Sequence, residues 1–229
     1  MPKSARIQCA GEAALIVYLG TESSPEVAAR VQALGDALRR SLGNILVELI
    51  PSYASLLVLF DPLRTDRYHV SQCIRNCLSD LTTVVASSGR VVEIPVYYSS
   101  ESGEDLENLA SSKGLSIQEV IDIHSEQEYR VYAIGFAPGF AYLGDVDTRI
   151  AAPRLSTPRQ SVPRGAVAIA DRQTAVYPAS SPGGWNLIGR SPLKMFDPLA
   201  EEPMPVHVGD RVRFTPIDRS AFIAAGGDL

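Results

Sequence analysis

Seven basic side chains fall between residues 149 and 194: Arg149, Arg154, Arg159, Arg164, Arg172, Arg190 and Lys194. The only acid among them is Asp171, so a stretch of local charge +6 sits in a chain whose net charge is −5. Arginine grips planar anions through two parallel N–H donors, and this pattern points to a surface for a carboxylate or phosphate. The plainer alternative is that these arginines are solvated or paired with acids elsewhere in the chain. Two unusual loops lie in or beside the stretch. In Gly135-Phe136-Ala137-Pro138-Gly139-Phe140-Ala141-Tyr142-Leu143-Gly144, glycines and a proline permit a tight backbone path, while Phe136, Phe140 and Tyr142 offer flat apolar faces. In Ser181-Pro182-Gly183-Gly184-Trp185-Asn186-Leu187-Ile188-Gly189-Arg190, Gly183 and Gly184 can expose backbone N–H groups to a ligand. They stand beside the single tryptophan and near Arg190. Both loops read equally well as barrel corners filled by packed aromatics.

Other chemistry has less support. The sequence holds no G-x-x-x-x-G-K-[ST] phosphate loop, no G-x-G-x-x-G fingerprint, no H-E-x-x-H and no CxxC pair. His69, Cys73 and Cys77 recur four apart, but the two cysteines share a face with Ile74 and Leu78, where a free thiol behaves as a small hydrophobe, so no metal is expected. His124 reads as a polar site residue or as the C-terminal cap of a helix. Neither His124 nor His207 sits in a nucleophile-elbow context.

The elements that must position these residues follow from periodicity and turn chemistry. The first third reads as ββαββα, with strands over 6–8, 13–19, 45–50 and 55–60. A helix opens at the N-cap Ser24 with Pro25 in its first position and ends at Gly43; Val27, Val31, Leu34, Leu38 and Leu42 recur along it. A second helix is predicted over 66–86, with Val70, Ile74, Leu78, Leu81 and Val85 inward. This order suggests two helices on one face of a small antiparallel sheet, a domain over 1–88 closed by the polar Ser87-Ser88-Gly89. Residues 89–229 form the second domain. It opens with a strand over 90–98 whose Pro95 requires an edge or a bulge. A helical insert near 103–125 follows, and its second helix begins with the capping box Ser116-x-x-Glu119. The insert carries many acids against Lys113 alone, so phosphate backbones would be repelled and a nucleic-acid partner is not expected. From Tyr129 onward, short β-like runs over 129–134, 166–170, 174–177, 185–188 and 211–215 alternate with Gly and Pro, as in a barrel or sandwich.

Composition agrees with a globular protein: 45% of residues are hydrophobic. The most apolar run, 45–60, carries Glu48 and is interrupted by Pro51, so no membrane span is expected. The start of the chain is polar and basic, and Cys9, Cys73 and Cys77 make no disulfide framework. A cytoplasmic location is the expectation.

Several motifs carry a family resemblance. They are His124-Ser125 with Tyr129-x-Val131, the run 135–144, Pro153-Arg154, Thr157-Pro158-Arg159, Val162-Pro163-x-Gly165, Gln173-Thr174-x-x-Tyr177-Pro178, the run 181–192, Phe196-Asp197 and Val208-Gly209-Asp210. In the first third, Tyr53-x-Ser55-Leu56-Leu57-Val58 and Asp61-Pro62 add to them. Together they make the chain similar to the allophanate hydrolase subunit 1 family. That family includes the B subunit of prokaryotic 5-oxoprolinase, which the chain resembles most, the KipI-type inhibitor of a sensor histidine kinase, and half of the carboxyltransferase domain of urea carboxylase. The family pattern would have Ser, Gly and Gly where this sequence has Ala166, Asp171 and Ala175.

The resemblance implies an α+β N-terminal domain followed by a mainly-β, cyclophilin-like barrel. It implies one component of an ATP-dependent 5-oxoprolinase, with ATP bound here or at a partner interface. The implied partners are a homologous C-type (KipA-type) subunit and an A-type subunit. It also keeps open a kinase inhibitor, or one component of a hydrolase or carboxyltransferase for a urea-derived amide. Under the 5-oxoprolinase reading Arg154, Arg159 and Arg190 bind anionic groups. Gly183, Gly184 and Trp185 shape the pocket, Phe136, Phe140 and Tyr142 wall it, and Gln173 and Tyr177 make polar contacts. No residue is assigned as the general base.

Overall fold

The computed structural model describes residues 5–22, 24–81 and 89–229. The chain divides into two compact units, Met1–Ser88 and Gly89–Leu229.

In the first unit β1 (Arg6–Cys9), β2 (Ala14–Tyr18), β3 (Leu46–Pro51) and β4 (Ser55–Phe60) form an antiparallel sheet of order β1-β2-β4-β3. Alternation along β2 and β4 turns Leu15, Val17, Leu56, Val58 and Phe60 to one face. That face buries itself against α1 (Pro25–Leu42) and α2 (Arg67–Asp80) through Val31, Leu34, Leu38, Val70 and Ile74. The start of α1 follows its sequence signals: the Ser24 hydroxyl accepts from the Val27 N–H at 3.2 Å, with Pro25 at the first position. Asp66 caps α2 through the N–H groups of Tyr68 and His69. This second helix is described to Asp80, with Leu81 past its end, and the predicted remainder over 82–86 lies outside the described residues. Val85 and the polar boundary Ser87-Ser88 lie outside the described residues.

The second unit is built on a seven-stranded sheet of order β12-β9-β10-β7-β6-β13-β5. In chain order its strands are β5 (Val91–Val96), β6 (Glu128–Ile134), β7 (Ala141–Gly144), β9 (Ala166–Ala170), β10 (Gln173–Val176), β12 (Asn186–Arg190) and β13 (Arg211–Pro216). All neighbours run antiparallel except β13 and β5. Just past β5, Tyr97 exchanges two backbone hydrogen bonds with Arg190 of β12, at 2.8 and 2.9 Å. The two ends of the sheet thereby meet, and the sheet is a nearly closed barrel. Pro95 sits on a strand at the end of the sheet order, where its missing N–H costs least. A separate ribbon of β8 (Arg159–Val162) and β11 (Ser181–Gly183) completes the strands.

Alternation gives the barrel two apolar faces. Val131, Leu143, Val167, Ile169, Val176, Ile188 and Phe214 fill the interior, joined by Leu106 and Leu109 of α3 (Leu106–Lys113) and Val120 of α4 (Ile117–Ser125). The capping box that opens α4 is formed in both directions: Glu119 Oε2 accepts from Ser116 N at 2.7 Å, and Ser116 Oγ accepts from Glu119 N at 3.2 Å. Ala166, Ala168, Ala170, Ala175, Tyr177 and Leu187 face outward into a second cluster with Phe140, Val162 and Trp185. A fifth helix, α5 (Arg219–Ala224), follows β13. Among the described residues no helix is long and apolar enough to cross a membrane.

Candidate functional site

The outer cluster carries a cleft of about 250 Å³ lined by Phe136, Phe140, Tyr142, Arg154, Pro158, Tyr177, Pro182, Gly183, Gly184 and Trp185. Small side chains beneath it make it possible. Ala166, Ala168, Ala170 and Ala175 present only methyl groups on the outer face of β9 and β10, which leaves depth for large rings above. Phe140 stands edge-on to Tyr142, Tyr177 and Trp185, with centroid separations of 4.9, 5.3 and 5.6 Å. Such edge-to-face contacts fix ring orientation as well as burying area. Gly183 approaches so closely that a Cβ there would lie 2.3 Å from Tyr177 Oη. Phe136 forms the rim. It is 65% exposed, meets Phe140 at 5.2 Å, and adopts a φ of 70°, a region costly for a bulky residue.

One cation serves this cleft. The Arg154 guanidinium lies 5.8 Å from the Trp185 ring centre and makes no ion pair among the described residues. Burial pushes the Tyr177 phenol up, and the nearby Arg154 and Arg159 pull it back. An exposed guanidinium held over an indole face is a good receiver for a small anion whose apolar body rests on the aromatic floor.

The other proposed binders are placed differently. Arg159 is engaged by acids from the helical insert. Its Nη2 donates to both oxygens of Asp105 at 2.7 and 2.9 Å, its Nε lies 2.5 Å from Glu104, and its Nη1 donates to the Trp185 carbonyl at 3.3 Å. It therefore holds the Trp185 backbone in position rather than facing the cleft. Arg190 ends β12 beside Arg164 and Asp228, away from the cleft lining. Gln173 shares the outer face of β10 with Ala175 and Tyr177, at the far end of the strand, opposite Gly144. The +6 stretch is therefore partly neutralised by acids that a local count does not include. Arg149 pairs with Asp147 at 2.8 Å, Arg159 with Asp105 and Glu104, and Lys194 with Asp197 at 3.2 Å.

His124 belongs to the barrel interior, within α4 and fully buried. It neither caps the helix nor lines the cleft. Its Nδ1 lies 2.7 Å from Tyr98 Oη and its Nε2 2.9 Å from Thr174 Oγ1, and the ring stacks on Phe214 at 4.6 Å. A neutral imidazole, with one donor and one acceptor, satisfies both hydroxyls. Burial drives its pKa from 6.5 down to about 3. In the unfolded chain the ring binds a proton below pH 6.5, whereas the folded protein keeps it neutral. Stability is therefore complete above that pH and falls as pH drops toward 3. The expected slope is about 1.4 kcal/mol per pH unit between roughly pH 6 and 4. Chemical denaturation across that range should show it, and His124→Gln should flatten it; an unchanged slope in the variant would place the proton uptake elsewhere.

Cys73 Sγ lies 3.7 Å from His69 Nε2 on α2, and among the described residues no three His, Cys, Asp or Glu side chains are grouped to hold a metal.

The three departures from the family pattern now have places. Ala166 and Ala175 are fully buried beneath the aromatic rings, so their size sets the floor of the cleft. Asp171 occupies the β9–β10 turn with a φ of 51°, which explains the glycine expected there; it is exposed and outside the cleft lining.

Comparison with known proteins agrees with this architecture. A family model described as carboxyltransferase domain, subdomain C and D, matches residues 5–206. Across 96% of its length the chain is 39% identical to the 5-oxoprolinase B subunit of Bacillus subtilis (strain 168), covering 95% of that protein. The crystal structure of TTHA0988 superposes on 93% of the chain with a TM-score of 0.80 at 38% identity, and the chain spans 40% of that longer one. The urea amidolyase of K. lactis matches 97% of the chain with a TM-score of 0.78; at 18% identity, and with 16% of that protein covered, this is a likeness of fold alone. From its first described strand to past the last cleft residue, this chain belongs to the carboxyltransferase domain family, subdomains C and D, and is a relative of the 5-oxoprolinase B subunits.

Proposed function

We propose that this chain is the B-type subunit of an ATP-dependent 5-oxoprolinase, opening the lactam of 5-oxoproline to L-glutamate in a cytoplasmic complex with a C-type homologue and an A-type subunit. The observation that carries this reading is the end-to-end match to a 5-oxoprolinase B subunit at 39% identity. The cleft supports it. A five-membered lactam bearing a carboxylate needs a small apolar floor and one cation at its edge. Phe140, Tyr142 and Trp185 supply the floor and Arg154 the cation.

A lactam carbonyl is a poor electrophile. Transfer of the ATP γ-phosphoryl group to its oxygen releases ADP and activates the carbon; water then adds, the C–N bond breaks to free the amine and leave an acyl phosphate, and a second water releases phosphate and the L-glutamate side-chain carboxylate. The cleft, at about 250 Å³, falls below the roughly 300–1,000 Å³ of sites for larger ligands, so ATP is assigned to the interface with a partner. Within the cleft Gly183 and Gly184 let backbone approach the ligand, and Tyr177 offers a hydroxyl at its base. The surrounding barrel is read as cyclophilin-like, with the site on its outer face.

The complex, assembled from all its subunits, should hydrolyse ATP only when 5-oxoproline is present. Arg154→Ala should lower kcat/KM for 5-oxoproline by about 100-fold with the melting temperature unchanged, as expected for a lost charge-assisted contact to a ligand anion. ATP turnover indifferent to 5-oxoproline would remove the reading. Full activity in the variant would remove Arg154 from the site.

A further inference from the structure

A second cationic feature lies on the barrel's outer face, apart from the cleft. Arg164 sits in the turn between β8 and β9, and Arg190 ends β12 opposite Ala166, the next residue but one. The turn is tight. Gly165 has a φ of 80°, and a Cβ there would lie 2.2 Å from the Ser191 carbonyl and 3.3 Å from Arg190 Cγ. The two guanidinium groups are thus brought side by side. Arg164 Nη1 and Arg190 Nε are both buried with no hydrogen-bond acceptor among the described residues. Adjacent like charges with orphaned, desolvated donors are costly unless an anion accepts from both. Burial holds the Arg190 guanidinium below the usual arginine range, Asp228 opposes this and Arg164 adds to it.

The anion at hand is Asp228, and it fits loosely. Its carboxylate is 3.7 Å from Arg164 Nη2 and its side chain is 83% exposed, while its backbone carbonyl accepts from Arg190 Nη1. An exposed pair at that distance contributes little. The residue is delivered there by α5. Phe222 of that helix is buried against Tyr97 at 5.7 Å, and Arg219 pairs with Glu101 at 3.1 Å. The chain after α5 then folds back: the Gly227 N–H donates to the Phe222 carbonyl at 2.9 Å, which leaves Asp228 across the arginines. Among the described residues only Asp228 joins this segment to the pair; Gly226 and Gly227 are tied to α5 through the Ile223 and Phe222 carbonyls, so Asp228 can lift away while they and α5 stay anchored.

We propose that Arg164 and Arg190 form a binding site for the carboxylate or phosphate group of a small molecule, over which Asp228 lies as a displaceable internal competitor. A ligand oxyanion can accept from Arg164 Nη1 and Arg190 Nε together, which Asp228 does not. The site does not depend on the reading of the aromatic cleft, whose lining includes neither arginine.

Calorimetric titration of the full chain with inorganic phosphate, and separately with succinate, tests this and distinguishes the two sources of the anion. Asp228→Asn removes the weakly held internal carboxylate while keeping the backbone contact to Arg190, so it should tighten the apparent affinity for the preferred anion about two- to fivefold. Arg164→Met and Arg190→Met should each weaken it by at least about tenfold, with the melting temperature of both variants held or raised because a buried donor has been removed. Saturable binding that follows this order upholds the site. No saturable binding of either anion to the Asp228→Asn protein overturns it, as does binding that ignores both arginine replacements. Should one arginine variant fail to fold, the other and the Asp228→Asn comparison decide the matter.

Discussion

Replacing Asp105 by alanine is expected to destabilise the second unit by about 3–5 kcal/mol, the cost of stripping one partner from a buried ion pair. Asp105 precedes α3, where an aspartate would ordinarily cap the helix, yet its side chain makes no cap. It faces β12 instead. Its backbone N–H donates to the Leu187 carbonyl at 3.0 Å, and its carboxylate accepts from the Leu187 N–H at 2.7 Å. One residue thus supplies both partners that an adjoining strand would give to β12 at this point, where its register with β9 shifts. The same carboxylate holds Arg159, which in turn holds the Trp185 carbonyl. Removing it leaves the buried Leu187 N–H without its acceptor and strips two charge-assisted hydrogen bonds from an Arg159 side chain that is only 21% exposed, with Glu104 and the Trp185 carbonyl as its remaining partners. The midpoint of guanidinium chloride unfolding should shift accordingly. A double-mutant cycle with Arg159→Ala should return a coupling of about 1–3 kcal/mol, since contacting residues in one network are not additive. A loss below about 1 kcal/mol would mean that the pair is solvated in solution and holds nothing.

This network also marks where sequence stopped being informative. Signals confined to one turn were readable: Ser24 with Pro25, the Ser116–Glu119 box and Gly43 at the end of α1 all appear where local chemistry puts them. The aromatic-glycine runs offered two readings, a ligand surface or barrel corners filled by packed rings, and the structure shows rings that are packed together and also line a cleft. Partners distant in sequence were not. Arg159 and Asp105 are 54 residues apart, and a charge count restricted to 149–194 makes Arg159 look free. Three short strands also escaped. β7 lies inside the run 135–144 and β11 inside the run 181–190, where Gly and Pro suppress strand propensity but tertiary pairing imposes it; β8 has four residues and no alternating apolar face. The closure of the barrel depends on a bridge between Tyr97 and Arg190, a contact no pattern in either segment announces. Helix α5 has six residues, too few for periodicity to show.

Trp185→Ala should have the largest combined effect on stability and activity, and comparison with Trp185→Phe should separate the two. The indole is 4% exposed and meets Phe140 and Tyr142, so truncation to alanine leaves a cavity over a floor of small alanines that cannot rise to fill it. A loss of about 3–5 kcal/mol is expected from deleting so large a buried ring. Arg154 would lose its platform and the cleft one wall, so activity with 5-oxoproline should fall below detection. Trp185→Phe keeps an edge-on ring for Phe140 but offers Arg154 a weaker, smaller π face. It should cost about 1–2 kcal/mol in stability and leave the chain folded at room temperature. If the ring only fills space, that variant retains KM. If it positions the cation that receives the substrate anion, KM for 5-oxoproline rises about tenfold while kcat changes little, the signature of lost ground-state binding. Because Trp185 is the only tryptophan, the wild-type protein carries its own reporter. Indole emission should respond to saturating 5-oxoproline in the assembled complex, and Arg154→Ala should move the midpoint of that response to higher concentration. Emission that ignores 5-oxoproline while the complex turns it over would show that the substrate binds away from this cleft.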